Sequence, residues 1–278
     1  MLAHPPTQSQ IESSFRRLDP SRHPVLNRWS WDEMYDGGQT MAPGGLLLAK
    51  TLADTLSLGA SERVLDLGCG RGQTSIFLAS EYQAQVMSLD LWIGADERQR
   101  NAAAAGVGQR ITALQGDVRR GLPIEPASLD AIFCMQAFHC FGTQPWVLRY
   151  LATLLRPGGR LGIAQGCFRE EPGELPPIFR NTDGWHAEYN KYHSAIWWRD
   201  FFAANTALTV TRAEEAVDGD ILWEDDVLYR CEQHGWDPAY LAHSAWLIRH
   251  IQHGRLTSPS LTHCVVVAVK ASSRQLES

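Results

Sequence analysis

The run Val64-Leu-Asp66-Leu-Gly68-Cys-Gly70-Arg-Gly72 leads from a short apolar stretch into a glycine-rich turn. Glycines allow a tight strand-to-helix turn and let a ligand reach the backbone with no Cβ in the way. Such turns cradle nucleotides of many kinds, so the spacing alone does not choose among them. The carboxylate of Asp66 narrows the choice. It stands where a dinucleotide's pyrophosphate would approach, and two anions repel there, whereas a cationic ligand is attracted. Capping of the following helix is the other use for an aspartate at this place.

Two further clusters carry side chains suited to proton transfer. The first is Met135-Gln136-Ala-Phe138-His139-Cys140-Phe141, at the end of a strand-like run. In open α/β sheets ligands sit beyond the carboxyl ends of the strands, so Met135 and Gln136 border that space. His139 follows one turn later, and an imidazole of ordinary pKa, about 6.5, suits a general base. A histidine satisfied within its loop is the alternative. The second cluster is Trp185-His186-Ala-Glu188-Tyr189-Asn-Lys-Tyr192-His193. On a helix, His186, Tyr189 and His193 recur at three and four residues and share a face. That face can hold an acceptor and take its proton, or pack a cap onto the core. No HxxxH or HExxH pair is present, so no metal site is expected.

The elements that must position these residues alternate in type. Strand signals fall at 64–67, 85–89, 111–114, 130–134 and 160–164. Helical periodicity falls between them at 46–58, 74–82, 95–105 and 146–155, the last stopping at Pro157-Gly158-Gly159. Strands that alternate with helices imply a parallel sheet with right-handed crossovers. Two later strands are expected at 208–211 and 262–269. The expected organisation is one domain over 1–278. It comprises an N-terminal arm or lid (1–44), a ligand-binding core (45–168), a cap insertion (169–205), and the last two strands (206–278) with a helical insertion at about 219–255.

Composition sets limits. With 278 residues, 44% of them hydrophobic, the chain can bury a large core and is not disordered. A net charge of −6 without a basic run argues against a nucleic-acid partner. No apolar run approaches the roughly 18 residues of a membrane span, and the first ten residues lack the regions of a signal peptide. Six scattered cysteines without a CxxC pair fit a reducing cytosol. A cytoplasmic location is expected; the sequence leaves the oligomeric state open, a homodimer included. Of ten tryptophans, only Trp92 and Trp146 fall in the 45–168 core. Among the others, Trp31, Trp185 and Trp197 are the expected lid residues.

The motif Asp66-Leu-Gly68-Cys-Gly70-Arg-Gly72 resembles the first motif of class I S-adenosylmethionine (SAM) methyltransferases. Asp90 after the second strand, Gly116-Asp117 after the third, and Leu155-Arg-Pro-Gly-Gly-Arg-Leu161 before the fifth agree with that family in order and spacing. Asp90-Leu91-Trp92 and His193-Ser-Ala-Ile-Trp197-Trp198 are similar to segments of bacterial small-molecule methyltransferases of the type-11 and cyclopropane-synthase-like kind. The resemblance implies a Rossmann-like α/β fold with a seven-stranded, mostly parallel sheet and helices on both faces. It implies that Gly68 and Gly70 approach the methionine portion of SAM, that Asp66 acts through its charge, and that Asp90 binds the ribose. Leu91 and Trp92 would cover the adenine, with Asp117 and Val118 at its edge. The implied activity is in-line methyl transfer to a small, partly apolar or amphipathic acceptor in a closed aromatic pocket, with S-adenosylhomocysteine as product. A SAM-binding regulatory module and an NAD-linked oxidoreductase are the alternatives. An Asn/Asp-Pro-Pro-Tyr motif is absent, which disfavours methylation of exocyclic nucleobase or glutamine nitrogens.

Overall fold

The structure is a computed structural model and describes residues 7–19, 24–38, 43–174, 191–243 and 261–272. Seven strands form one sheet: β1 (Arg63–Leu67), β2 (Gln85–Asp90), β3 (Ile111–Gln115), β4 (Leu129–Met135), β5 (Leu155–Phe168), β6 (Leu208–Glu215) and β7 (Leu261–Lys270). Their order is β3-β2-β1-β4-β5-β7-β6, with β1 to β5 mutually parallel and β7 antiparallel to both β5 and β6. The expected seven-stranded, mostly parallel α/β sheet is thereby borne out. Between β1 and β4 the strand order reverses, and such a switch point opens a crevice at the carboxyl ends. Gly68 and Met135 stand at its two sides.

Helices cover both faces because the strands are apolar on both. One face carries α3 (Gly45–Thr55), α4 (Gln73–Glu81) and α5 (Ala95–Ala104), packing Leu48, Leu52 and Phe77 with Val64, Phe133 and Val265. The other carries α6 (Pro145–Leu154) and α7 (Ala195–Asn205), packing Leu148, Leu151, Trp198 and Phe202 with Leu65, Ile132 and Val266. At β5 the structure departs from the expected strand at 160–164. Leu155 already pairs with Leu129, and pairing resumes at Arg160 with Ala131. Residues 156–159, including Pro157-Gly158-Gly159, bulge out between the two pairs instead of ending the ladder. A side chain at 159 would press on the carbonyls of Arg156 and Leu129 at 2.9 and 3.0 Å, so glycine is required there.

The arm contributes α1 (Gln8–Ser14) and the short α2 (Trp31–Met34), both started by capping boxes. It lies against α8 (Ile221–Gln233), whose Glu224, Asp225 and Asp226 are all buried. Arg16 donates to Glu224 through its backbone N–H (2.7 Å) and guanidinium (3.1 Å), Leu18 N–H donates to Asp225, and the Tyr35 hydroxyl donates to Asp225. Ile11 and Phe15 of the arm join Phe168, Tyr192, Trp223 and Leu261 in a small third core beyond the end of β5. Arg16→Ala is expected to cost about 1–2 kcal/mol, because a buried carboxylate loses part of its compensation. Chemical denaturation checks the magnitude, and earlier tryptic cleavage near residue 17 checks that the arm is what loosens.

Candidate active site

The glycine turn after β1 is stapled to β2: the N–H groups of Gly68 and Cys69 both donate to Leu89 O, at 2.8 and 3.1 Å. Gly68 (φ +77°) backs onto Ala137, where any Cβ would collide with the Ala137 methyl. Gly70 (φ +56°) is different: a Cβ there meets nothing within 4 Å. Its backbone is open to a ligand. Gly70 N–H donates to Asp90 Oδ2 at 2.9 Å, while Asp90 Oδ1 accepts from Trp92 N–H (2.8 Å) and Ile93 N–H (3.0 Å). One carboxylate thus ties the first loop to the second and shapes the turn that leaves Leu91 and Trp92 exposed, Trp92 at 72%.

Asp66 is 1% exposed, and its Oδ2 accepts from Thr74 Oγ1 and Ser75 Oγ, each at 2.6 Å, on the first turn of α4. Burial pushes its carboxyl up to about 6, against those two hydroxyl donors. Among the described ion pairs, neither Asp66 nor Asp90 has a lysine or arginine partner. The cation nearest in influence is Arg98, itself 1% exposed, whose guanidinium donates to the carbonyls of Ser88 (3.2 Å), Ile93 and Leu114. Because the folded-state pKa of Asp66 is raised, its contribution to stability is fully present below about 3.8 and is lost as pH rises through about 6. Asp66→Asn is therefore expected to stabilise the fold at pH 8 by about 1–3 kcal/mol. Denaturation of both proteins at pH 5 and pH 8 checks this, with the gap expected to narrow at pH 5.

At the carboxyl ends of β4 and β5, Gln136 takes a left-handed backbone (φ +55°). Its side chain donates to Pro43 O and accepts from Gly166 N–H, both at 2.9 Å, joining the arm to β5. A Cβ at Gly166 would press Trp223 at 2.7 Å and Tyr192 at 3.0 Å. Met135 is buried. His139 is 6% exposed, its backbone N–H donates to Gln165 Oε1 (3.1 Å), and its ring meets Tyr192 edge-on at 5.0 Å. His193 lies against Glu171, Nδ1 to Oε1 at 2.7 Å, and stacks on Trp197. Lys191 Nζ donates to Cys140 O, which holds this segment over the loop after β4. Separately, a cavity of about 260 Å³ lies on the arm side of the glycine turn, lined by Trp29, Glu33, Asp36, Arg71, Gln73 and Asn101 among others.

Residues 64–159 match the family model for a methyltransferase domain. That segment carries the glycine turn, Asp90 and the loop after β4. Its similarity extends to the 27-O-demethylrifamycin SV methyltransferase of Amycolatopsis mediterranei, 30% identical over 151 residues that cover 54% of each chain. The chain spans about half the length of the curated relatives it matches. Among solved structures, the [4+2]-cyclase SpnF superposes with a TM-score of 0.64 at 19% identity, covering 81% of each chain. The geranyl diphosphate C-methyltransferase from Streptomyces coelicolor, solved with geranyl diphosphate and S-adenosylhomocysteine, gives 0.62 at 16%, covering 92% of this chain and 91% of that one. These likenesses establish a shared fold.

Within the matched segment, Asp66, Gly68, Gly70 and Asp90 meet around one turn, with Leu91 and Trp92 at its rim. Asp117 is engaged elsewhere: Arg119 grips its carboxylate in a fork at 2.9 and 2.8 Å, and that ion pair holds the carboxyl below its usual range. Val118 is buried in the core beside it. His139 lies in the loop after β4 and His193 pairs with Glu171 just beyond the end of β5, whereas His186 and Tyr189 lie outside the described residues. Sequence reasoning missed Arg98 and Glu171. Arg98 sits in a polar helix that reads as solvated, and Glu171 in a stretch that reads as irregular.

Proposed function

We propose that the chain transfers a methyl group from SAM to a small, partly apolar or amphipathic molecule. The observation that carries this reading is the open backbone of Gly70 beside two buried carboxylates, Asp66 and Asp90, neither paired with a lysine or arginine among the described ion pairs. An unbalanced negative field of this kind suits a ligand bearing an ammonium and a sulfonium and repels a pyrophosphate. The residues present therefore fit SAM better than a dinucleotide. SAM, when bound, supplies a methyl group already activated by positive sulfur.

On this reading Gly68 and Gly70 leave room for the methionine portion, and Met135 and Gln136 border it. Asp90, with three of its roughly four lone-pair sites taken by backbone donors, keeps acceptor capacity for one ribose hydroxyl. Leu91 and Trp92 offer an apolar surface to the adenine, with Val118 behind. Asp117 serves the adenine amino group only by sharing its carboxylate with Arg119. The aromatic side chains of Tyr192, Trp197 and Trp223 wall the acceptor side. What the protein must do is align an acceptor in line and exclude water, which supplies most of the acceleration for such a transfer. His139 and His193, with His186 and Tyr189 from the same cap, are the proposed acceptor-side residues.

The acidic charge, the absence of any spanning helix among the described residues and the six free cysteines favour a cytoplasmic enzyme acting on a small molecule. The test is release of S-adenosylhomocysteine from SAM with a panel of hydroxylated natural products, headed by 27-O-demethylrifamycin SV. Acceptor-dependent release supports the proposal. SAM binding with no release across the panel would favour a regulatory SAM-binding module instead.

A further inference from the structure

We infer that His193, oriented by Glu171, takes the proton from the acceptor, and that the acceptor atom is a hydroxyl oxygen. This rests on the methyl-transfer reading above. A carboxylate or thiolate acceptor is already nucleophilic and needs no base, whereas a neutral hydroxyl must lose its proton as it is methylated. A built and oriented base is therefore informative about the acceptor.

The construction is specific. Glu171 lies three residues beyond the end of β5, and His193 lies two residues before the start of α7. Both oxygens of Glu171 are used: Oε1 on His193 Nδ1 at 2.7 Å and Oε2 on Ser194 N–H at 2.7 Å. A carboxylate that accepts at Nδ1 places the hydrogen there and leaves Nε2 with its lone pair. Those two hydrogen bonds outweigh burial and hold Glu171 below its usual range, so it stays an anion. The imidazole plane is fixed as well. It lies flat on Trp197, 3.6 Å between centroids and 7° from parallel, and Trp197 is stacked in turn on Phe201. Position, plane and tautomer are thus all set, as an oriented base requires.

The location suits the task. Lys191 and Tyr192 anchor the segment to the loop after β4 and Glu171 follows β5, so His193 lies on the carboxyl-end side of the sheet, the side on which the crevice between β1 and β4 opens. Its side chain is 22% exposed, which leaves a route for the proton to water. His139 by contrast is buried edge-on against Tyr192, and His263 is held neutral, pushed down to about 4 by burial, with Nδ1 on Gly219 O. The step balances: the acceptor O–H gives its proton to Nε2 while the oxygen forms the new O–C bond. The donor's C–S bond breaks with its electron pair returning to sulfur, and the imidazolium passes its proton to water.

The test uses the full chain labelled with ¹⁵N. Imidazole nitrogen shifts of His193, assigned by their loss in His193→Gln, are read at pH 8. The expected result is hydrogen on Nδ1 in the wild type and a mixture of tautomers in Glu171→Ala. An Nε2–H tautomer in the wild type overturns the inference, whatever turnover does. With 27-O-demethylrifamycin SV as acceptor, His193→Gln should lower kcat by about 100-fold or more and abolish the acid limb of the pH profile, with SAM affinity unchanged by calorimetry. Turnover and pH profile unaltered by His193→Gln also overturn it. Should that compound not be methylated, the tautomer alone decides. A wild-type chain that fails to bind SAM refutes the methyl-transfer reading rather than the assignment of this pair.

Discussion

Gly68→Ala is expected to leave little folded protein, with stability reduced by about 2–4 kcal/mol. Two costs add. A left-handed backbone at φ +77° disfavours alanine by about 1 kcal/mol. The new methyl also overlaps the Ala137 side chain, and relieving such a clash costs about 1–3 kcal/mol. The loop cannot retreat, because the N–H groups of residues 68 and 69 are both fixed to Leu89 O. Marginal stability makes this a large loss. The double variant Gly68→Ala with Ala137→Gly should recover the overlap and leave the backbone strain, which a denaturant titration of the four proteins measures. Gly70→Ala is the contrast: its backbone is also left-handed but its surroundings are open, so stability should fall by about 1 kcal/mol only.

Asp90→Ala should have the largest effect on SAM. The substitution removes the acceptor for Gly70, Trp92 and Ile93 N–H together, so both loops that frame the crevice lose their common tie. A ribose hydroxyl held on the one remaining lone-pair site is lost with it, and that is a charge-assisted hydrogen bond. With about 1.5–3 kcal/mol for that bond and the loosening of both loops added to it, SAM affinity falls by about 100-fold. Asp90→Asn keeps one acceptor oxygen for the turn and should fall between. An affinity unchanged in Asp90→Ala would mean that SAM binds elsewhere or not at all.

How much of this was legible in the sequence follows from how local each feature is. The parallel strands were legible because burial on both faces makes them near-continuous apolar runs, as at Ile132–Met135 and, interrupted by Asp66, at Val64–Leu67. The glycine turn and Asp90 were legible for the same reason: their geometry is set within a few residues. The bulge at 156–159 was not, since Pro157-Gly158-Gly159 carries the composition of a terminator and only the neighbouring strand restores the pairing. Glu224-Asp225-Asp226 reads as a solvated acidic face, yet all three are buried: Arg16, Leu18 and Tyr35 reach Glu224 and Asp225 from about 200 residues away, and Arg230 one turn on pairs with Asp226.

The tryptophans show the same limit. Among the described residues, the two that fall in the alternating core are the exposed ones, Trp92 at 72% and Trp146 at 46%, while Trp198 and Trp223 from the later segments are buried. Trp31, an expected lid residue, stacks on Tyr35 beneath Arg17, and Trp197 supports His193; Trp185 lies outside the described residues. Position in the alternation says where the sheet is, whereas exposure depends on which insertion folds back over it. Glu171 was invisible for that reason, as its partner is 22 residues on, across a segment with no periodicity.

The most direct measurement is a calorimetric titration of the full chain with SAM and, separately, with NAD. The proposed function requires a saturable single-site heat with SAM, weakened by about 100-fold in Asp90→Ala, and no binding of NAD. A chain that binds NAD but not SAM, or that binds SAM equally well without the Asp90 carboxylate, would contradict it.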